Sequence, residues 1–250
     1  MKASKTVSVI GVLLFLSAYF VASQPITPRL ALVSSLSVIV FALPSYCAVV
    51  KSLGRKRGLY LLATLGGYAL IIESLAIHTG FPYGNFTYSD VLGNKIFGLT
   101  PWTVAFAYPP ILLLTYWYAR QRHTNKWQIW FSTAFDAMLI DLVIDPAAVR
   151  LGFWYWDTPG FFYGVPLVNF LGWLLTGFLG AIILHKFFER FVREQLSHKL
   201  LPVSFAYSGL AILWFWTSVN FWLQQWLPAV FGLVISLFLA HLIISKQRTM

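Results

Sequence analysis

Phe135-Asp-Ala-Met-Leu-Ile-Asp-Leu-Val-Ile-Asp-Pro-Ala-Ala-Val149 is apolar enough to cross a bilayer, yet it carries three carboxyl groups: Asp136, Asp141 and Asp145. A charged side chain at the centre of a membrane helix costs about 2.5–3.5 kcal/mol on insertion scales. The chain has only eight Asp and Glu in 250 residues, and a fourth acid, Glu73, stands in another apolar run. Acids placed against such a cost are candidates for function.

The surrounding composition fits a membrane protein. The chain is 58% hydrophobic and 10% charged, where a soluble domain carries about 25% charged residues. Apolar runs of bilayer length recur at Val7–Ala22, Leu30–Val50, Gly58–Ile77, Pro101–Ala119, Ile129–Val149, Pro166–Leu184, Leu200–Leu223 and Trp226–Ile244. The expected fold is all-α: a polytopic bundle of about eight transmembrane helices, with residues 1–250 as one transmembrane domain. The first run is the shortest. Lys2 and Lys5 before it and the small residues closing it also suit a signal peptide, but the polytopic body behind it favours an uncleaved helix.

Charge sorts by side on this reading. Arg29, Lys95 and Arg150 fall on one side; every other Lys and Arg, including Lys186, Arg190, Arg193 and Lys199, falls on the other. The positive-inside rule then puts both termini in the cytoplasm and the protein in the cell membrane. Anionic lipid accounts for the net charge of +10 without a nucleic-acid partner. Cys47 is the lone cysteine, and His78, His123, His185, His198 and His241 lack metal-ligand spacing. No phosphate loop, dinucleotide fingerprint or HExxH motif occurs.

Two outer loops, 78–100 and 150–165, share a pattern. Each begins with a glycine and aromatics at steps of two, Gly84-Phe86-Tyr88 and Gly152-Trp154-Trp156, with Asp90 or Asp157 close behind. Each ends in an aromatic-glycine pair before a proline, Phe97-Gly98 then Pro101, and Tyr163-Gly164 then Pro166. Glu73 lies 11 residues before Gly84, as Asp141 does before Gly152. The pattern predicts an internal repeat of helix, aromatic loop and helix, whose halves face each other and bring Glu73 and the aspartates to one cavity. The aromatics also suit a membrane-interface belt. Their density between Gly152 and Tyr163 favours a site lining, with Tyr83, Asn85, Tyr88, Trp154, Trp156, Asp157, Tyr163 and Asn169 as substrate-contact candidates. Trp214, Phe215, Trp216, Phe221, Trp222 and Trp226 are expected to face lipid or to pack between helices.

Asp141 and Asp145 are one helical turn apart on one face. Two carboxylates that close, away from water, cannot comfortably both ionise, which leaves an acid beside a base. Asp136 lies round the helix from Asp141 and suits an N-terminal dipole role. Asp145 precedes Pro146 and also suits satisfaction of backbone groups that the proline frees, though a site role is favoured. Glu73, Asp141 and Asp145 are the catalytic candidates. Their spacing also admits a prenyltransferase-like site holding Mg²⁺ and diphosphate, but that needs a second acidic cluster and more cations than this side offers. Acids and aromatics without cations point to an uncharged apolar substrate. A carboxyl can protonate an alkene, aromatic faces can stabilise the tertiary cation, and water can capture it, with no cofactor.

The blocks Gly80-Phe-Pro-Tyr-Gly-Asn-Phe-Thr-Tyr-Ser-Asp-Val-Leu-Gly93, Asp145-Pro-Ala-Ala148, Trp154-Tyr-Trp156 and Tyr163-Gly-Val-Pro-Leu-Val-Asn-Phe-Leu-Gly-Trp173 resemble the carotenoid-biosynthesis membrane protein family. That family includes carotenoid 1′,2′-hydratases and bisanhydrobacterioruberin hydratase. The resemblance spans roughly Gly58 to Gly180 and implies cofactor-independent hydration, a lyase-type reaction at the terminal C1′–C2′ double bond of an acyclic carotenoid. It implies polar site positions at Glu73, Asp141 and Asp145, and a pocket lined by Trp154, Trp156 and Asn169. The first loop departs from the pattern where Gly98-Leu-Thr-Pro101 replaces the shorter Gly164-Val-Pro166. Three other readings stay open. They are a cyclase or isomerase, a carrier of lipids or small solutes with a carboxylate proton relay, and a structural subunit beside other enzymes of isoprenoid pigment synthesis.

Overall fold

The computed structural model describes the chain except residues 1, 26, 28, 29, 192–200 and 249–250. The expectations on Arg29, Arg193, His198, Lys199 and Leu200 lie outside the described residues. Eight α-helices occur among the described residues: α1 (Lys2–Ser23), α2 (Ala31–Leu53), α3 (Arg55–Thr79), α4 (Val104–Arg122), α5 (Lys126–Arg150), α6 (Leu167–Phe191), α7 (Tyr207–Trp222) and α8 (Trp226–Arg248). Each overlies one expected span.

Four stretches are long and apolar enough to cross a membrane: Ala31–Leu53, Arg55–Thr79, Leu167–Phe191 and Trp226–Gln247. Eight spans were expected, and the other four helices differ for physical reasons. α4 holds Pro109 and Pro110 and is buried without a break from Tyr108 to Trp117, so neighbouring helices surround it. α5 carries the three aspartates, α7 is only 16 residues long, and the apolar part of α1 is the short stretch Ser8–Ser23.

α4 is the central post, packed against α2, α3, α5, α6 and α7. α5 and α6 form the most extensive helix pair, brought close where Gly177 meets Ala134; a Cβ there would lie 2.9 Å from Ala134 Cα. Large apolar side chains cover the outside, among them Leu32, Leu36 and Val40 on α2 and Leu227, Val230 and Val234 on α8. Such a surface suits lipid rather than water.

The two aromatic loops meet over one end of the bundle. β1 (Phe86–Tyr88) pairs antiparallel with β4 (Trp154–Trp156), in the register Phe86↔Trp156, Thr87↔Tyr155 and Tyr88↔Trp154. Ser89 N donates to Phe153 O at 2.9 Å and Asp157 N to Asn85 O at 3.1 Å, which extends the ladder at both ends. Each residue therefore pairs across a local twofold with the equivalent of its mirror position, and Thr87 meets its own equivalent, Tyr155. The loop ends match too: Phe97 and Gly98 have φ of 51° and 72°, Tyr163 and Gly164 of 53° and 87°. Left-handed backbone is easy for glycine and uncommon for an aromatic residue. A second hairpin, β2 (Lys95–Ile96) with β3 (Thr100–Pro101), is confined to the first loop.

Candidate functional site

Strand alternation decides which loop residues face inward. In β1 and β4 the side chains of Phe86, Tyr88 and Trp156 are buried and that of Trp154 partly so, while Thr87 and Tyr155 point out. The inward rings meet across the ladder. Phe86 and Trp156 have centroids 5.8 Å apart, and Tyr88 and Trp154 5.6 Å apart. Beneath them lies a cavity of about 510 Å³, lined by Glu73, Asp141, Asp145, Asn169 and these four rings, with Tyr83, Tyr108 and Trp173. The expected meeting of Glu73 with the aspartate helix is realised in this one cavity.

Asp141 and Asp145 are fully buried on α5 and directly adjacent. Asn169, in the first turn of α6, bridges them: its Nδ2 donates to Asp141 Oδ2 at 2.8 Å and to Asp145 Oδ2 at 2.6 Å. Both contacts go to carboxyl oxygens, so the NH₂ face of the amide must point at the pair. Asp141 Oδ1 is buried with no hydrogen-bond partner among the described residues. Asp145 also lies within reach of the Trp154 indole. The backbone near Pro146 is served by other groups: Asn220 Nδ2 donates to Val143 O at 2.7 Å and Gln225 Nε2 to Pro146 O at 3.2 Å.

Glu73 approaches from α3. Tyr88 Oη donates to its Oε2 at 3.0 Å. Burial, with the nearby Glu73 carboxyl adding to it, pushes the Tyr88 phenol well above its usual range, so it stays a donor.

A second polar knot sets the cavity's far wall. Thr176 Oγ1 donates to Gly172 O at 3.0 Å and accepts from Tyr83 Oη at 2.9 Å and Tyr108 Oη at 3.0 Å. Tyr68 Oη donates to Thr176 O at 2.6 Å. The Thr176 hydroxyl, with its donor and both lone pairs in use, ties the first loop and α4 to α6, and the Thr176 carbonyl ties in α3. Trp173 stacks on Tyr108 at 4.9 Å, and Trp156 Nε1 donates to Tyr83 O at 2.9 Å. Gly172 permits this approach, since a Cβ there would fall 2.5 Å from the Tyr83 ring.

Not every expected residue arrives. Asn85 and Asp157 take outward positions at the strand ends and are exposed, and Tyr163 sits at its left-handed corner with 38% of its surface open. None of the three lines the cavity. Asp136 faces Arg122 of α4 in an ion pair, away from the other acids and well past the first turn of α5. Phe215 and Trp216, expected to face lipid or pack, do pack, on Phe41 and Phe153, and they also line the cavity. Trp214 and Trp222 do pack between helices, donating to Gly11 O and Phe15 O of α1. Tyr108, Thr176 and Trp173 were not among the expected contacts; a Tyr or Thr inside an apolar helix is a weak signal because most such residues only satisfy their own backbone.

Among the described residues no Lys, Arg or His lines the cavity, and no three His, Cys, Asp or Glu converge in metal-binding geometry. What the arrangement offers is three carboxyl groups, the Asn169 amide beside them and a wall of π-faces.

Comparison with known proteins gives the same direction. Residues 29–239 match the family described as carotenoid biosynthesis protein. The chain is 35% identical over 199 residues to bisanhydrobacterioruberin hydratase of Haloarcula japonica, a match covering 78% of this chain and 66% of that protein, just under two thirds of its length. No solved structure matches.

Proposed function

This chain belongs to the carotenoid biosynthesis protein family, and on that premise we propose that it adds water to the terminal C1′–C2′ double bond of an acyclic carotenoid. The observation that carries the reading is that Glu73, Asp141, Asp145 and an aromatic wall share one cavity in which no Lys, Arg or His stands among the described residues. Two adjacent carboxyls cut off from water are stable with one proton between them. The Asp141–Asp145 pair donates that proton to C2′, and the electrons of the alkene form the new C–H bond. The tertiary cation left at C1′ is held by the faces of Trp154, Trp156, Tyr88 and Trp173. Water bonds to C1′ and gives up a proton to the carboxylate left on the Asp141–Asp145 pair, so the acid pair is restored and the net change is one added water. Asn169 keeps the two carboxyls together, and Tyr88 orients Glu73 toward the water. No cofactor takes part.

In the same reading the eight helices all span the membrane, the aromatic loops lie on the outer side, and both termini are cytoplasmic. The test is expression in a lycopene-accumulating bacterium, with the pigments analysed by mass. A product heavier by one water supports the proposal. A product of equal mass replaces it with cyclisation or isomerisation, and unchanged pigment replaces it with a carrier role.

A further inference from the structure

The cavity does not end at the acids. It continues along Phe215 and Trp216 of α7 and reaches Ser17, Phe20 and Val21 on α1 and Val33, Ser34 and Val38 on α2. α1 and α2 both pack on α7 but scarcely touch one another. Their separation is built in. Trp214 Nε1 donates to Gly11 O at 2.9 Å and Trp222 Nε1 to Phe15 O at 3.0 Å, which fixes α1 to one side of α7. Ser45 and Ser208 exchange backbone-to-hydroxyl bonds at 2.9 and 3.0 Å, which fixes α2 to the other. Phe20 and Val33 line the cavity and are also 65% and 58% exposed, so its wall runs without a break onto the lipid-facing surface.

We infer that the cleft between α1 and α2 is the groove that binds the body of the polyene and lets it in sideways from the bilayer. The identity of the ligand rests on the hydratase reading. The cleft carries no charged side chain among the described residues, and the hydroxyls of Ser17 and Ser37 are turned onto Leu14 O and Val33 O of their own helices. What faces the cleft is therefore mostly apolar, with Gln24 and Ser34 as its uncharged polar members. A cavity of about 510 Å³ is in the range that takes a compact, drug-sized ligand. A rigid polyene as long as the apolar core of a bilayer, about 30 Å, must extend beyond it. The cleft is where the cavity opens, with the reactive end at Asp141 and Asp145 and the conjugated chain passing between α1 and α2 into lipid.

The test fills the groove from either wall. Purified protein in lipid nanodiscs is titrated with lycopene, and binding is read from quenching of tryptophan fluorescence. Ser34→Phe and Ser17→Phe should each weaken binding by about tenfold, while the lipid-facing Leu237→Phe leaves it unchanged. Turnover of a short acyclic isoprenoid with the same end group, too short to reach the helices, should survive in both groove variants. Unchanged lycopene affinity in both variants overturns the groove, and so does equal loss of turnover on the short substrate. If filling the groove weakens binding but wild-type protein adds no water, the groove stands and the hydratase reading falls. If wild type and both variants bind and hydrate lycopene alike, the hydratase reading stands and the groove falls.

Discussion

The two loop-bearing halves, α3 to α4 and α5 to α6, share a frame and differ in the groups they turn inward. Both place a carboxyl 11 residues before a glycine, both pair an aromatic strand with the other half, and both close on a left-handed aromatic-glycine corner. Glu73 and Asp141 occupy matching positions and both line the cavity. Asp145, by the same spacing, matches Ile77, and Asn169, three residues past its proline, matches Val104, three past Pro101. One half thus holds a single carboxyl under a phenol, and the other a carboxyl pair under an amide. The backbone repeat fixes where groups can stand; the chemistry is set by two residues that the first half lacks.

The largest effect expected from breaking this asymmetry is on turnover. Asp141→Asn or Asp145→Asn should each lower product formation by about 10²–10⁴-fold, with the protein still monodisperse in detergent. The double variant should be little worse than either single one, because the pair acts as a unit. Retained activity in both single variants would remove the pair from the mechanism. Asn169→Val gives the second half the residue of the first. It should strip the donor shared by two buried carboxyls and destabilise the fold by about 1–3 kcal/mol, seen as a lower thermal midpoint together with slower turnover.

A smaller loss tests the first half. Tyr88→Phe removes the donor to Glu73 and should slow turnover by about tenfold, the equivalent of one net hydrogen bond of about 1–1.5 kcal/mol. If Tyr88→Phe exceeds Asn169→Val in its effect on rate, the chemistry centres on Glu73 and the asymmetry must be read the other way. The smallest effect belongs to the outward positions. Asp157→Asn should change rate and stability by no more than about 0.5 kcal/mol, or roughly twofold; a large loss in the same pigment assay would place that loop face at the site.

The helical class, the eight helices, the paired loops and the convergence of Glu73 with Asp141 and Asp145 were all legible in the residues. They depend on hydrophobic period and on glycine and proline placement, which are local. The inward or outward sense of each loop residue was not, since it needs the strand register. Asn85 and Asp157 are polar residues in an aromatic stretch, but a shift of one position turns a side chain to the other face of a ladder. Asp136 was readable as an acid in an apolar helix; its partner Arg122 sits on another helix, at a separation that no spacing rule fixes. Phe215 and Trp216 were missed for the same reason. An aromatic helix face can meet lipid, a neighbour or a cavity, and only the distance between α1 and α2 decides which.

The register Thr87↔Tyr155 has a consequence for origins. A motif that meets its own copy head to head is what two identical short proteins would make on dimerising. An ancestor of about a quarter of this length, one helix-loop-helix unit embedded twice in the same orientation, would already have owned the roof of the chamber and one acid per subunit. Fusion of its gene copies would then have freed one descendant half to acquire a second acid and an amide while the other kept a plainer form.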